Sequence, residues 1–202
     1  MTRAKICGLR SREDVAAVNR LLPDYIGFIF APERRRYIAP GLAAELRAEL
    51  DARIRAVGVF VDAPREHVEK LLREGVIDLA QLHGHESEET VKALQERTGK
   101  PIIKAFRIES EEDIRAAERS RADYVLLDSG IGGTGKRFDW DLARDLLRPF
   151  FLAGGLDAGN VAEAIARCAP FAVDASSSVE TGGRKDPVKI EQFLRAVRRS
   201  ES

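Results

Sequence analysis

Little in this sequence leans toward one sign of charge, toward an oxidising compartment or toward a membrane. Its 33 Lys and Arg residues face 33 Asp and Glu in 202 positions. That zero balance argues against nucleic acid or an anionic membrane as the main partner. Only two cysteines occur, Cys7 and Cys168, which make no disulfide framework in a chain this long. Both are expected to be reduced thiols of a cytoplasmic protein. No run of ~18 apolar residues is present, and Met1 to Gly8 contain no apolar signal-peptide core. Histidine is scarce as well. His83 and His85 form a His-Gly-His step, but spacing marks out no third nitrogen or thiolate, so no metal is expected.

What is present is an alternation. Short runs rich in β-branched and aromatic residues fall at 3–7, 25–30, 54–61, 79–83, 102–106, 124–128, 150–153 and 171–174. Several, such as Ile26-Gly27-Phe28-Ile29-Phe30, are apolar on both faces, the pattern of parallel strands covered by helices. Amphipathic, charged runs separate them. Ser11 precedes an apolar set at Val15, Val18, Leu21 and Leu22, while Leu42, Leu46 and Leu50 share a face of the second run. Ser87 starts the fourth, and Ser110 and Asp157 are capping candidates for the fifth and seventh.

Eight βα units of roughly 25 residues fit an open doubly wound sheet or a closed barrel, and the count of eight favours closure. No linker or low-complexity stretch divides the chain. The expected fold class is therefore α/β, a (β/α)₈ TIM barrel formed by one domain over residues 1–202.

A barrel places function at the carboxyl ends of its strands, and polar residues and glycines gather there. Cys7-Gly8 ends the first strand, and Lys5 shares the parity of Cys7. A buried packing thiol and a catalytic one are both compatible with that position. Asp128 ends the sixth strand, as a partly desolvated general acid or as a cap. Gly154-Gly155 and Ser176-Ser177 follow the seventh and eighth strands, the usual place for a phosphate in a barrel. Gln81, His83 and Asp174 are further strand-end candidates. Residues 130–137 nearly match a nucleotide P-loop but end in Arg137 where a hydroxyl should hold Mg²⁺. They read instead as an active-site loop, with Gly133 among its candidates. Arg34-Arg35-Arg36 is either a solvated basic patch or an anion clamp.

Taken together the motifs resemble phosphoribosylanthranilate isomerase. The resemblance runs through Lys5-Ile6-Cys7-Gly8, Gly27 to Phe30 with Arg36-Tyr37-Ile38, Val57 to Val61 and Gln81 to Gly84. It continues through Gly132 to Gly135 with Phe138-Asp139-Trp140, Ala153 to Leu156 with Asn160-Val161, and Gly183 with Lys185-Asp186. It implies an Amadori rearrangement in tryptophan biosynthesis, with a small phosphorylated sugar as substrate and no cofactor. Asp128 would protonate the ring oxygen, Cys7 would remove the C2 proton, and Arg36 would hold the anthranilate carboxylate. Gly154, Gly155, Ser176 and Ser177 would hold the phosphate.

Two departures stand out. Arg34 and Arg35 occupy the places where the family has Ser-Pro or a similar pair, leaving all three arginines as alternatives for the carboxylate. Ser178 replaces the glycine of the family's Ser-Ser-Gly-Val-Glu and would be strained if its φ were positive. The rival readings are a histidine-pathway aldose–ketose isomerase and a catalytically silent phosphate-binding barrel. Cys7 disfavours the first, and retention of both Cys7 and Asp128 disfavours the second.

Overall fold

A computed structural model describes residues 1–129 and 139–200 of the chain. Eight parallel strands close into a barrel: β1 (Arg3–Cys7), β2 (Tyr25–Ile29), β3 (Arg55–Phe60), β4 (Leu79–Leu82), β5 (Ile102–Arg107), β6 (Tyr124–Asp128), β7 (Phe150–Leu152) and β8 (Ala172–Ala175). Closure is made by β1 against β8, with Lys5 opposite Asp174 and Ile6 opposite Ala175. The expected strands are all present, with no end displaced by more than one residue.

Alternation along each strand sorts its side chains into two cores. Tyr25, Val57, Leu79, Ile103, Leu126, Phe151 and Ala172 fill the barrel interior. Ile6, Ile26, Phe28, Phe60 and Leu127 face outward, under the helices. Those helices are α1 (Arg12–Leu21), α2 (Pro40–Glu49), α3 (Arg65–Arg73), α4 (Glu88–Thr98), α5 (Glu111–Arg119), α6 (Val161–Cys168) and α7 (Pro187–Arg199). None is long and apolar enough to cross a membrane. Ser11 and Ser87 accept from the amides of Asp14 and Thr90, and Ser110 forms a capping box with Asp113, as their positions predict.

Three expectations need correction. Between β6 and β7 the described residues form only a 3₁₀ turn, Trp140–Ala143. Asp157 does not cap α6. Asn160 stands at the N-cap, while the Asp157 carboxylate accepts from the Gly159 amide two residues on, an Asx turn. The inward stripe of the second helix runs through Ala43, Leu46 and Leu50, leaving Leu42 40% exposed.

One device recurs at the amino-terminal end of the barrel. Asp24, just before β2, accepts the amide of Ala4 in β1 at 2.8 Å. Asp78, before β4, does the same for Ala56 in β3, and Asp123, before β6, for Ile102 in β5, each at 2.8 Å. Each aspartate satisfies the first outward amide of the preceding odd strand, a donor that is costly to leave unpaired when buried.

Candidate active site

Parity on β1 sends Ala4 and Ile6 into the outer core, so Lys5 and Cys7 face the interior. Lys5 is fully buried, and its ammonium lies 2.8 Å from Asp174 Oδ2. Burial opposes that positive charge, but Asp174 and Cys7 outweigh it and raise the Lys5 pKa. Burial likewise raises Asp174, against the pull of Lys5. The Cys7 thiol is raised by burial, while Lys5 and Lys185 act to lower it. Gly27 on the adjacent strand makes room for the sulfur, since a Cβ there would lie 2.6 Å from Sγ.

A second group lies on β4 and β6. The Gln81 amide is 2.8 Å from His83 Nδ1, and His83 Nε2 is 3.4 Å from Asp128 Oδ2. Asp128 and His83 both act electrostatically on Asp174, so the two groups share one interior. His85 instead reaches Asp62. The His-Gly-His step therefore sends its rings to different partners. Gly154, at φ +88°, passes close to Asp128, where a Cβ would lie 2.9 Å from Oδ1. Only a glycine takes that φ without strain.

The third group joins the loop after β2 to a hairpin after β8, built from β9 (Glu180–Thr181) and β10 (Arg184–Lys185). Arg36 grips Glu180 through two bonds, Nε to Oε1 at 2.6 Å and Nη2 to Oε2 at 3.0 Å. Arg35 also reaches Glu180, at 2.7 Å, but its side chain is 59% exposed against 20% for Arg36. Arg34 is exposed. Despite burial, hydrogen bonds from Arg36 and Lys185 lower the Glu180 pKa to about 2.

Ser176 and Ser177 follow β8, beside the loop that carries Gly154 and Gly155. Asn160 donates to the Gly155 carbonyl at 2.9 Å and pins that loop. Among the described residues, the amides of Gly155 and Ser177 find no acceptor in a turn, loop or cap. The Ser176 hydroxyl instead donates to the Cys7 carbonyl at 3.1 Å. Ser178 is absent from the residues with positive φ, so its replacement of glycine carries no backbone strain. Gly133 lies outside the described residues.

The family model described as N-(5'phosphoribosyl)anthranilate (PRA) isomerase matches residues 4–196. The chain belongs to the phosphoribosylanthranilate isomerase family. A curated phosphoribosylanthranilate isomerase of Endomicrobium trichonymphae is 44% identical, over 98% of this chain and 99% of its own. That of Lachnoclostridium phytofermentans is 41% identical over 96% and 97%. Crystal structures of phosphoribosyl anthranilate isomerase from Thermotoga maritima and Thermus thermophilus superpose with TM-scores of 0.90 and 0.89. They are 38% and 35% identical, each covering 98% of this chain and 99% of theirs. A further phosphoribosyl anthranilate isomerase structure, 36% identical with a TM-score of 0.88, covers 98% of this chain and 99% of its own. It is a complex with reduced 1-(o-carboxyphenylamino)-1-deoxyribulose 5-phosphate.

The resemblance read from the phosphoribosylanthranilate isomerase motifs thus extends to the whole barrel. Glu180 and Lys185 stand at no barrel strand end, in β9 and β10, so their part in the site is not marked by position along the strands. The signal available was the alignment of Glu180 with the glutamate of Ser-Ser-Gly-Val-Glu.

Proposed function

We propose that this chain catalyses the Amadori rearrangement of N-(5'-phosphoribosyl)anthranilate, with Asp128 as general acid and Cys7 as general base. A proton from Asp128 goes to the furanose ring oxygen. The C1–O bond breaks, and the nitrogen lone pair forms C1=N. The iminium makes the C2–H acidic, and the Cys7 thiolate takes that proton to leave an enolamine. Loss of the proton on the C2 oxygen and protonation at C1 then give the ketone, so no atom enters or leaves. β1 and β6 stand apart around the ring, which suits an acid and a base working on different atoms of one sugar.

The observation that carries the reading is the inward Cys7 thiol, set beside the Lys5 ammonium and in a common interior with Asp128. Lys5 favours the thiolate that the base needs. Gln81 Oε1 and Asp174 Oδ1 are buried acceptors without a hydrogen-bond partner among the described residues. Unpaired buried acceptors are costly, and sugar hydroxyls would satisfy them. Arg36 takes the anthranilate carboxylate in this proposal, being the arginine whose stem crosses Gly8 next to the thiol. The amides of Gly155 and Ser177, without an acceptor in a turn, loop or cap among the described residues, take the phosphate, with Gly154 and Ser176 shaping the loops.

Substrate generated in situ and followed by loss of anthranilate fluorescence tests this directly. Wild type is expected to turn over, and Cys7→Ala or Asp128→Ala to lower kcat by at least ~100-fold with little change in substrate affinity. An inactive wild type beside an active control sinks the assignment. Full activity in either variant removes that residue's role.

A further inference from the structure

The Arg36 guanidinium has five N–H donors, and Glu180 occupies two, one on Nε and one on Nη2. Those two define the side edge of the fork. The end edge, formed by Nη1 with the second Nη2 hydrogen, has no partner among the described residues. A carboxylate approaching end-on can take both of its donors.

Glu180 is itself held. Its Oε1 accepts from Lys185 Nζ at 2.9 Å, and its backbone carbonyl accepts from Lys189 at 2.8 Å. Lys185, 9% exposed, also donates to the Ser176 carbonyl at 2.9 Å. The Ser176 hydroxyl then donates to the Cys7 carbonyl. A continuous chain of hydrogen bonds thus runs from the backbone of the thiol residue to the side edge of Arg36.

We propose that Glu180 is a positioning residue for the substrate carboxylate, fixing Arg36 by its side edge at a set distance from Cys7. The inference rests on the assignment of Arg36 to the anthranilate carboxylate and names what makes that arginine a rigid receptor. A free arginine would have to be ordered when substrate binds, and that entropy would count against affinity. Glu180 orders it beforehand, with Lys185 as the anchor beneath.

Calorimetric binding of two probes tests this: reduced 1-(o-carboxyphenylamino)-1-deoxyribulose 5-phosphate and the same compound without its carboxyl group. Their Kd ratio isolates the carboxylate. Wild type is expected to prefer the carboxylated probe by about tenfold or more. Glu180→Gln keeps the side-chain shape and should bring the ratio near one while leaving the Kd of the decarboxylated probe unchanged. Lys185→Met, should Glu180→Gln fail to fold, is expected to lower the ratio several-fold. In Arg36→Met, adding Glu180→Gln should change the ratio no further. A wild-type ratio in Glu180→Gln overturns the proposal, and so does an equal loss of affinity for both probes. A wild-type ratio in Arg36→Met removes the Arg36 assignment and the proposal with it. Binding needs no turnover, so an inactive enzyme leaves this test intact.

Discussion

Burial makes the Cys7 thiol a weaker acid, and two lysines oppose that effect. The balance has a direction that can be tested. Because the folded pKa is raised, the neutral thiol is the favoured form at low pH, and the thiolate appears only as pH rises through that value. Turnover limited by the base should therefore climb with pH on its acidic limb. Lys5→Met removes the nearer opposing charge and should move that limb to higher pH. Rates of Cys7 alkylation against pH report the same shift without turnover. An unmoved limb would show that Lys5 does not tune the thiol.

Legibility in the sequence divides at this scale. Lys5, Cys7, Gln81, His83, Asp128 and Asp174 could be picked out because strand parity and strand ends are local properties. Glu180 stands at no barrel strand end, and its partner Arg36 lies 144 positions away, so only the match to the family's Ser-Ser-Gly-Val-Glu marked it before closure of the barrel brought the two together. The choice among Arg34, Arg35 and Arg36 was open for the same reason.

At the scale of elements, the helices follow from serine caps and apolar stripes, and they were readable wherever those signals were strong. They failed before β7, where the described residues form only a 3₁₀ turn, and where an Asx turn replaced a cap at Asp157. The aspartates that clamp strand starts were not anticipated, because Asp24, Asp78 and Asp123 resemble ordinary turn residues in a sequence. Each is expected to contribute stability through one amide of the previous odd strand. Asp24→Ala should lower unfolding free energy by about 1–2 kcal/mol, by analogy with the loss of a helix cap. Urea denaturation measures it, and a change within ~0.3 kcal/mol would show that the clamp is decorative. Asp78 and Asp123 have additional partners in Arg47 and Gln95, so their variants should lose at least as much.

For the whole molecule, closure leaves the barrel sheet without an edge and gives its eight strands one shared interior. The eight-fold count was legible from the alternation of apolar and amphipathic runs, but the inequality of the eight units was not. β1 with β2, β3 with β4, and β5 with β6 are each tied by a strand-start aspartate. Before β8 stand Pro170 and Phe171, and no aspartate.

The clamp therefore gives the barrel a period of two strands rather than one: three self-tied pairs and a fourth that is not. A consequence follows for where the chain tolerates being cut. New termini at residues 51–53 would fall between two pairs, whereas new termini at 22–24 would detach Asp24 from the helix leading to it and loosen a pair from within. Circular permutants opened at those two turns should differ in melting temperature, with the first closer to the parent. Equal losses would mean that the ring, and not the pair, is the unit that folds.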